Sequence, residues 1–365
     1  MRCMHFVKTQ PIVVALFAFL LGGIFSSLRT LGAVANPGDD LNAILSSLPA
    51  GGTLIINSGT YPQVINKIPS GVSSLSPTLV QSAPGATVIT NGLDIYSRSF
   101  ITVRGLIFNG YPNHVGRSST TDAPATFITL ENAVARNWVG GGSGGAGFNV
   151  GVRQSGVSSN IRLLNCSAIN NGSNKLDHGV YISSRDNLVD GGKYSQNFGH
   201  GIHVYSDTGG ATNGTVIRNA EASDNGSFGI GLYAGTNLVA QNNRVFKNGQ
   251  QQASGGIAIR YGGSGTVSGN SFANNGATEI WIESGPTMVE NNCVDPAKIK
   301  NVSGGTLKNN SLTACGLPPP TNVDVSQQTP PTEQQTSQPS GPSTSQVAIP
   351  FLIAGVIGAA LLLGD

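Results

Sequence analysis

Charge is what this sequence has least of. Only 10% of its residues are charged, and the formal net charge is +2. That balance gives no basic footprint for nucleic acid. Cysteine is scarce too, with four in 365 residues, which excludes a small disulfide-dense scaffold. Long apolar runs occur only at the two ends, and the C-terminal one lacks both the about 20 apolar residues and the basic cytoplasmic flank of an ordinary spanning helix.

Both ends read as processing or anchoring segments. Arg2 and Lys8 precede the apolar run Ile12 to Phe25, and Ala33-Val34-Ala35 has the small-x-small pattern of a cleavage site. The expectation is a secretory signal over 1–35, with an uncleaved anchor helix as the alternative. At the other end Val347 to Leu363 is uncharged, and only Gly364 and Asp365 follow. With a polar spacer before it, the 347–365 tail fits a glycosylphosphatidylinositol signal, with Ser340, Gly341 or Ser343 as the lipid attachment residue. A short membrane anchor is the rival. Residues 316–346, rich in Pro, Ser, Thr and Gln, lack the apolar content for a core and read as a disordered stalk. The chain is thus expected at the extracellular face of the plasma membrane, as a monomer held by its C-terminal anchor.

Residues 36–315 remain for folding. Glycine is abundant there, the whole chain holding 50. Three cysteines survive removal of the leader: Cys166, Cys293 and Cys315. Six Asn-x-Ser/Thr sequons (Asn165, Asn171, Asn213, Asn225, Asn301, Asn309) permit N-glycosylation, although an Asn-rich chain makes some by chance.

Self-similarity fixes the fold class. Gly179-Val180-Tyr181-Ile182, Gly201-Ile202-His203-Val204, Gly229-Ile230-Gly231-Leu232, Gly256-Ile257-Ala258-Ile259 and Glu279-Ile280-Trp281-Ile282 start 22, 28, 27 and 23 residues apart. One short alternating strand per twenty-odd residues is the mark of a solenoid. Asn-Gly pairs at Asn171, Asn225, Asn248 and Asn275 mark corners, where asparagine accepts left-handed geometry and stacked amides can bond one another. Each coil offers at least two strands. Asp40 is placed to cap a helix carrying Leu41, Ile44, Leu45 and Leu48, which would cover the first coil. Cys293 and Cys315 lie one coil apart, close enough for a disulfide, whereas Cys166 is several coils away. The expected fold is an all-β parallel β-helix with an N-terminal capping helix.

Leu48-Pro49-Ala50-Gly51-Gly52-Thr53-Leu54, Ser58-Gly59-Thr60-Tyr61, Ser82-Ala83-Pro84-Gly85-Ala86-Thr87-Val88-Ile89 and Ile101-Thr102-Val103-Arg104-Gly105-Leu106 resemble the opening of pectate-lyase-like right-handed β-helix proteins. The blocks Asp177-His178-Gly179-Val180-Tyr181-Ile182 and Gly199-His200-Gly201-Ile202-His203-Val204 resemble the repeat of that superfamily. The resemblance implies the fold. It leaves the reaction open, since the superfamily holds lyases, hydrolases, epimerases and non-catalytic proteins.

Alternation then assigns faces. If Val180 and Ile182 point inward, the outward column reads Tyr181, His203, Gly231, Ala258, Trp281, and the next reads Ser183, Tyr205, Tyr233, Arg260, Glu283. Gly231 and Ala258 would leave a hollow between larger walls. Rings and polar groups along a groove suit a sugar chain. His178 and His200 share a coil position, with Lys175 and Asp177 just before. A uronate lyase or epimerase needs a base and a cation for the substrate carboxylate. His203 or Tyr205 is offered as base, with His200 beside it, and Arg260 as the cation. Lys175, Asp177, His178, Tyr181, Tyr233, Trp281 and Glu283 are offered as binding residues. The bland reading is that stacked His and Tyr only tie coils together. The three His match no standard metal spacing. No cofactor is required, and calcium is left open. A glycosidase needs two flanking carboxyls; Asp177 and Asp207 fall on different strand edges, so hydrolysis ranks below elimination or epimerisation. Lys193, Glu221 and Arg244 align as a surface salt ladder. Gly140 to Gly147 reads as a loop. The expected partner is an acidic polysaccharide or cell-wall glycan, and the different-class alternative is a non-catalytic wall-binding or structural protein.

Overall fold

The computed structural model describes residues 32–313, apart from 119–120, 141–144, 152–157, 207–210 and 253. All of them fall in the unit Met1–Thr321, the first of two into which the chain divides. The leader up to residue 31, Asp207, Cys315, the stalk, the tail and the attachment residues Ser340, Gly341 and Ser343 lie outside the described residues. Among the described residues no helix is long and apolar enough to cross a membrane.

The strands stack in parallel as a β-helix whose coils have three faces, where the sequence displayed two. The first face is a 12-stranded sheet, and the other two join in a 17-stranded sheet. The join is the strand Val88–Tyr96, which pairs with Leu106–Asn109 through its first half and with Asn113–Arg117 through its second. The second face escaped the sequence reading because its strands are short. Ser167–Ile169, Lys193–Ser195, Glu221–Ser223, Arg244–Phe246 and Ser271–Ala273 each turn one central side chain inward, too few to show a period of two.

Each face contributes an inward column to one core. On the third face Val180, Ile202, Ile230, Ile257 and Ile280 are in register and fully buried, as the repeat required. On the first, Leu163, Val189, Ile217, Ala240, Val267 and Val289 stack. Fully burying one such aliphatic side chain stabilises by about 1.5–3 kcal/mol.

The corners divide between adjacent residues two jobs expected of a single asparagine. The first residue takes the left-handed conformation: Asn170, Gln196, Asp224, Lys247 and Asn274 have φ of 55–58°. The second turns inward. Asn171, Asn197, Asn225, Asn248 and Asn275 form a buried amide ladder with Nδ2–Oδ1 distances of 3.0, 2.9, 2.8 and 2.9 Å. A second ladder runs Asn243, Asn270, Asn292, Asn310. Asn197 was missed because Phe198, not glycine, follows it. The sequons at Asn171 and Asn225 are occupied by this ladder, each residue only 1% exposed.

The N-terminal boundary differs from expectation. Gly32–Ala35 is a strand paired with Thr53–Ile56, and Ala35 is fully buried. The fold therefore reaches back to Gly32 rather than Asn36, and a cut after Ala35 would remove this strand. The helix Leu41–Ser47 is present, with Asp40 Oδ1 accepting from the Asn42 and Ala43 backbone N–H groups. Its Leu41 and Leu45 lie in the core. Gly145–Val150, partly assigned to a loop, is a third-face strand. Cys293 is disulfide-bonded. Cys166 is free, and burial pushes its thiol up to about 12.

Candidate functional site

Parallel stacking brings residues far apart in sequence to neighbouring coils about 4.8 Å apart. The outward column of the third face follows the expected order, Tyr181, His203, Gly231, Ala258, Trp281. It extends further than the repeat indicated. Asp94, His114 and Asn149 precede Tyr181, and Lys300 follows Trp281. Those outer strands lack the glycine-apolar start that marked the repeat. Tyr233 and Arg260 pair in the second column.

A groove of about 480 Å³ lies over the middle of this face. Among its lining residues are Lys175, His178, His200, His203, Tyr205, Tyr233 and Arg260, all expected. Phe228 and Tyr261 line it as well and were missed. Both were legible. Phe228 occupies the coil position of His178 and His200 one repeat later, and Tyr261 follows Arg260. Asp177, Tyr181, Trp281 and Glu283 stand outside the lining.

The expected hollow is filled from its rim. A Cβ at Gly231 would lie 3.2 Å from His200 Cδ2 and 3.3 Å from Tyr233 Cζ. The missing side chain lets these rings close over the strand. Phe228, Tyr233 and Ala258 form a small apolar cluster outside the main core, with Tyr205 and Trp281 packed on it. The groove is therefore a shallow cleft with an aromatic floor.

The histidines do not act as the sequence suggested. His178 and His200 stack at 4.9 Å, and His203 meets both edge-on. The His200 backbone N–H donates to His178 Nδ1 at 3.0 Å. His178 must then carry its proton on Nε2, which faces His203 Nδ1 at 3.0 Å. His203 Nδ1 thus accepts, and its own proton sits on Nε2. A ring whose free lone pair is already bonded cannot take a substrate proton. The assignment of His203 as base is therefore corrected: the geometry makes it a neutral donor, with Nε2 covered. Burial lowers the pKa of His178 well below the usual histidine range. Burial, and next the charge of Arg260, bring His200 down to about 3, too weak for a base near neutrality.

Asp177 is also corrected. It is fully buried, and its Oδ2 accepts from the Ser173 and Asn174 backbone N–H groups and from Asn174 Nδ2. It closes a turn and reaches no ligand. Burial raises the pKa of Tyr233, against the opposing effect of Arg260. Its hydroxyl stays protonated.

Arg260 is the best-placed charged group. Its Nε donates to Glu283 Oε2 at 2.6 Å, and its Cζ lies 4.3 Å from the Trp281 ring centre and 4.9 Å from that of Tyr261. Glu283 is thus a partner that holds Arg260, not a binding group in the groove. The guanidinium also bonds the Tyr233 side chain, and its remaining N–H donors can meet another acceptor. Tyr205 stacks on His203, with ring centres 5.8 Å apart. Lys175 is an exposed cation on the lining. Among the described residues no group of three or more His, Cys, Asp or Glu is arranged to hold a metal ion.

The comparisons bear on the fold. A family model described as "right handed beta helix region" matches residues 150–315. The structure is similar to that of an alginate lyase from Paenibacillus sp. str. FPU-7, with TM-score 0.58 and 15% identity, covering 76% of this chain and 97% of that one. It is also similar to ORF18 of Geobacillus virus E2, with TM-score 0.52 and 12% identity, covering 84% and 64% respectively. The A-module of the mannuronan C-5 epimerase AlgE6 from Azotobacter vinelandii gives TM-score 0.45 and 14% identity over 77% and 96%. No curated protein matches the chain in sequence. The chain is a right-handed parallel β-helix, as its repeat blocks implied.

Proposed function

We propose that the chain acts on an acidic polysaccharide laid in the third-face groove, as a uronate lyase or epimerase. Both reactions begin with loss of the proton beside a carboxylate. Both therefore need a cation that stabilises the developing charge and a base within reach. The observation that carries the reading is Arg260, held by Glu283 and Trp281 on the groove lining. Tyr205, on the same lining, takes the proton as its phenolate. Lys175 supplies a second cation. In elimination the electrons of the broken C–H bond form a double bond as the glycosidic oxygen leaves and receives the proton that Tyr205 took. In epimerisation a proton from solvent is delivered to the opposite face of the same carbon. The fold shared with an alginate lyase is consistent with a uronate polymer.

A non-catalytic glycan-binding protein is the second reading. It is favoured by the His178–His203 bond and the Arg260–Glu283 pair, which leave few groups free for chemistry. Secretion as a monomer, with a lipid anchor at the cell surface, accompanies either reading and rests on sequence alone.

The full-length secreted protein incubated with a panel of polyuronates tests both. Ultraviolet-absorbing unsaturated ends select the lyase. Inverted C5 centres seen by proton NMR select the epimerase. Binding with neither product selects the second reading, and an absence of binding to every polyuronate defeats both.

A further inference from the structure

Trp281 does not offer its ring to a sugar in the way an aromatic on a groove suggests. Arg260 Cζ lies 4.3 Å from the indole centre and Lys300 Nζ lies 4.0 Å from it. The two cations come from opposite neighbours. Arg260 ends the strand Gly255–Arg260 on one side of Trp281, and Lys300 belongs to Ile299–Asn301 on the other. The indole is thus covered from both adjacent coils and acts as a spacer between two positive groups. Attraction of each cation to the ring holds it in place without neutralising it.

The charges around the ring are unequal in freedom. Arg260 is paired with Glu283. Lys300 is exposed and has no ion pair among the described residues. Arg260, Lys300 and Glu283 together leave one net positive charge. The strands bearing Arg260 and Lys300 are two coil steps apart, about 10 Å. The cations approach the indole from opposite neighbouring coils, so two carboxylates on one chain of acidic sugars can each take one.

We propose that Arg260 and Lys300, held apart by Trp281, form a two-cation clamp that reads paired carboxylates along a polyuronate. The inference rests on the reading that the groove takes an acidic polysaccharide, and adds that the ligand must carry at least two acidic sugars. The clamp rejects neutral glycans, which leave Lys300 without an acceptor, and holds a single uronate at one cation only.

Titration calorimetry with galacturonate and mannuronate oligomers of increasing length tests it. Wild-type protein shows a step in affinity once a second carboxylate can engage. Lys300→Met lowers affinity for the longer oligomers about tenfold, leaves the single sugar unchanged and flattens the salt dependence. Trp281→Phe keeps most of the step and Trp281→Leu loses it, with thermal melts showing that both remain folded. If the wild type shows the step and Lys300→Met shows it undiminished, the clamp is wrong and the groove stands. If the wild type binds no uronate oligomer, the clamp and the groove reading fail together.

Discussion

The second and third faces of the same coils carry outward columns built by one rule and ending in opposite chemistry. On the second, Lys193, Glu221 and Arg244 stack in register, with ion pairs of 3.4 and 3.8 Å. On the third, Tyr181, His203, Gly231, Ala258 and Trp281 stack in the same way. The salt ladder is a half-buried surface in which each long side chain meets its opposite. The third face alternates bulk with absence, so rings from the flanking positions, Phe228 and Tyr233, fold into the gap. A stacked column becomes a site when small residues let neighbouring side chains converge, and stays a surface when every position fills its own space.

The largest expected effect strikes what both faces share. The corner between them is the buried amide ladder. Asn225→Ala removes the acceptor for Asn197 Nδ2 and the donor to the Tyr194 carbonyl. Leaving such buried groups unpaired costs about 1–3 kcal/mol each. Chemical denaturation should show the whole domain losing several kcal/mol, and a loss within error would mean the ladder is incidental. Next comes the third face alone. Arg260→Ala should lower kcat/KM on a uronate polymer by about a hundredfold or more, in line with removing a charge-stabilising donor. Tyr205→Phe should abolish turnover while retaining binding. Circular dichroism should show both variants folded.

A pH experiment separates the faces further. His200 is held at about 3 in the fold by burial, against a value of 6.5 without it. Between those values the unfolded chain binds more protons, so stability is complete above pH 6.5 and falls as pH drops towards 3. His200→Phe, the residue type of the next coil at Phe228, should make the melting temperature less sensitive to acid over that range. An unchanged slope would assign the acid sensitivity elsewhere. The smallest effect belongs to the second face. Glu221→Ala should cost about 1 kcal/mol and leave turnover or binding unchanged, because half-buried pairs of 3.4 and 3.8 Å contribute little and lie off the groove.

Legibility followed the same division. The column Val180, Ile202, Ile230, Ile257, Ile280 was readable because alternation with a glycine start survives in the chain as a pattern. The three-residue strands of the second face were not, since one inward residue makes no period. Asp94, His114, Asn149 and Lys300 were hidden by strands that depart from the repeat. In the groove, Arg260 and Tyr205 could be read from strand position alone. The roles of His203, Trp281 and Asp177 could not. Those of His203 and Trp281 depend on which atom of a neighbouring coil, about twenty residues or more away, lies within reach, and that of Asp177 on its own turn with Ser173 and Asn174.

The sequence by itself determined the solenoid, the inward columns and which residues share an outward stripe. Those follow from the period of two and the coil length, both written in the order of residues. Only the tertiary structure decided the proton positions in the His178–His203 pair, the pairing of Arg260 with Glu283 and the two cations on Trp281. Side-chain direction and distance between stacked coils set these, through packing of rings that the backbone pattern does not specify.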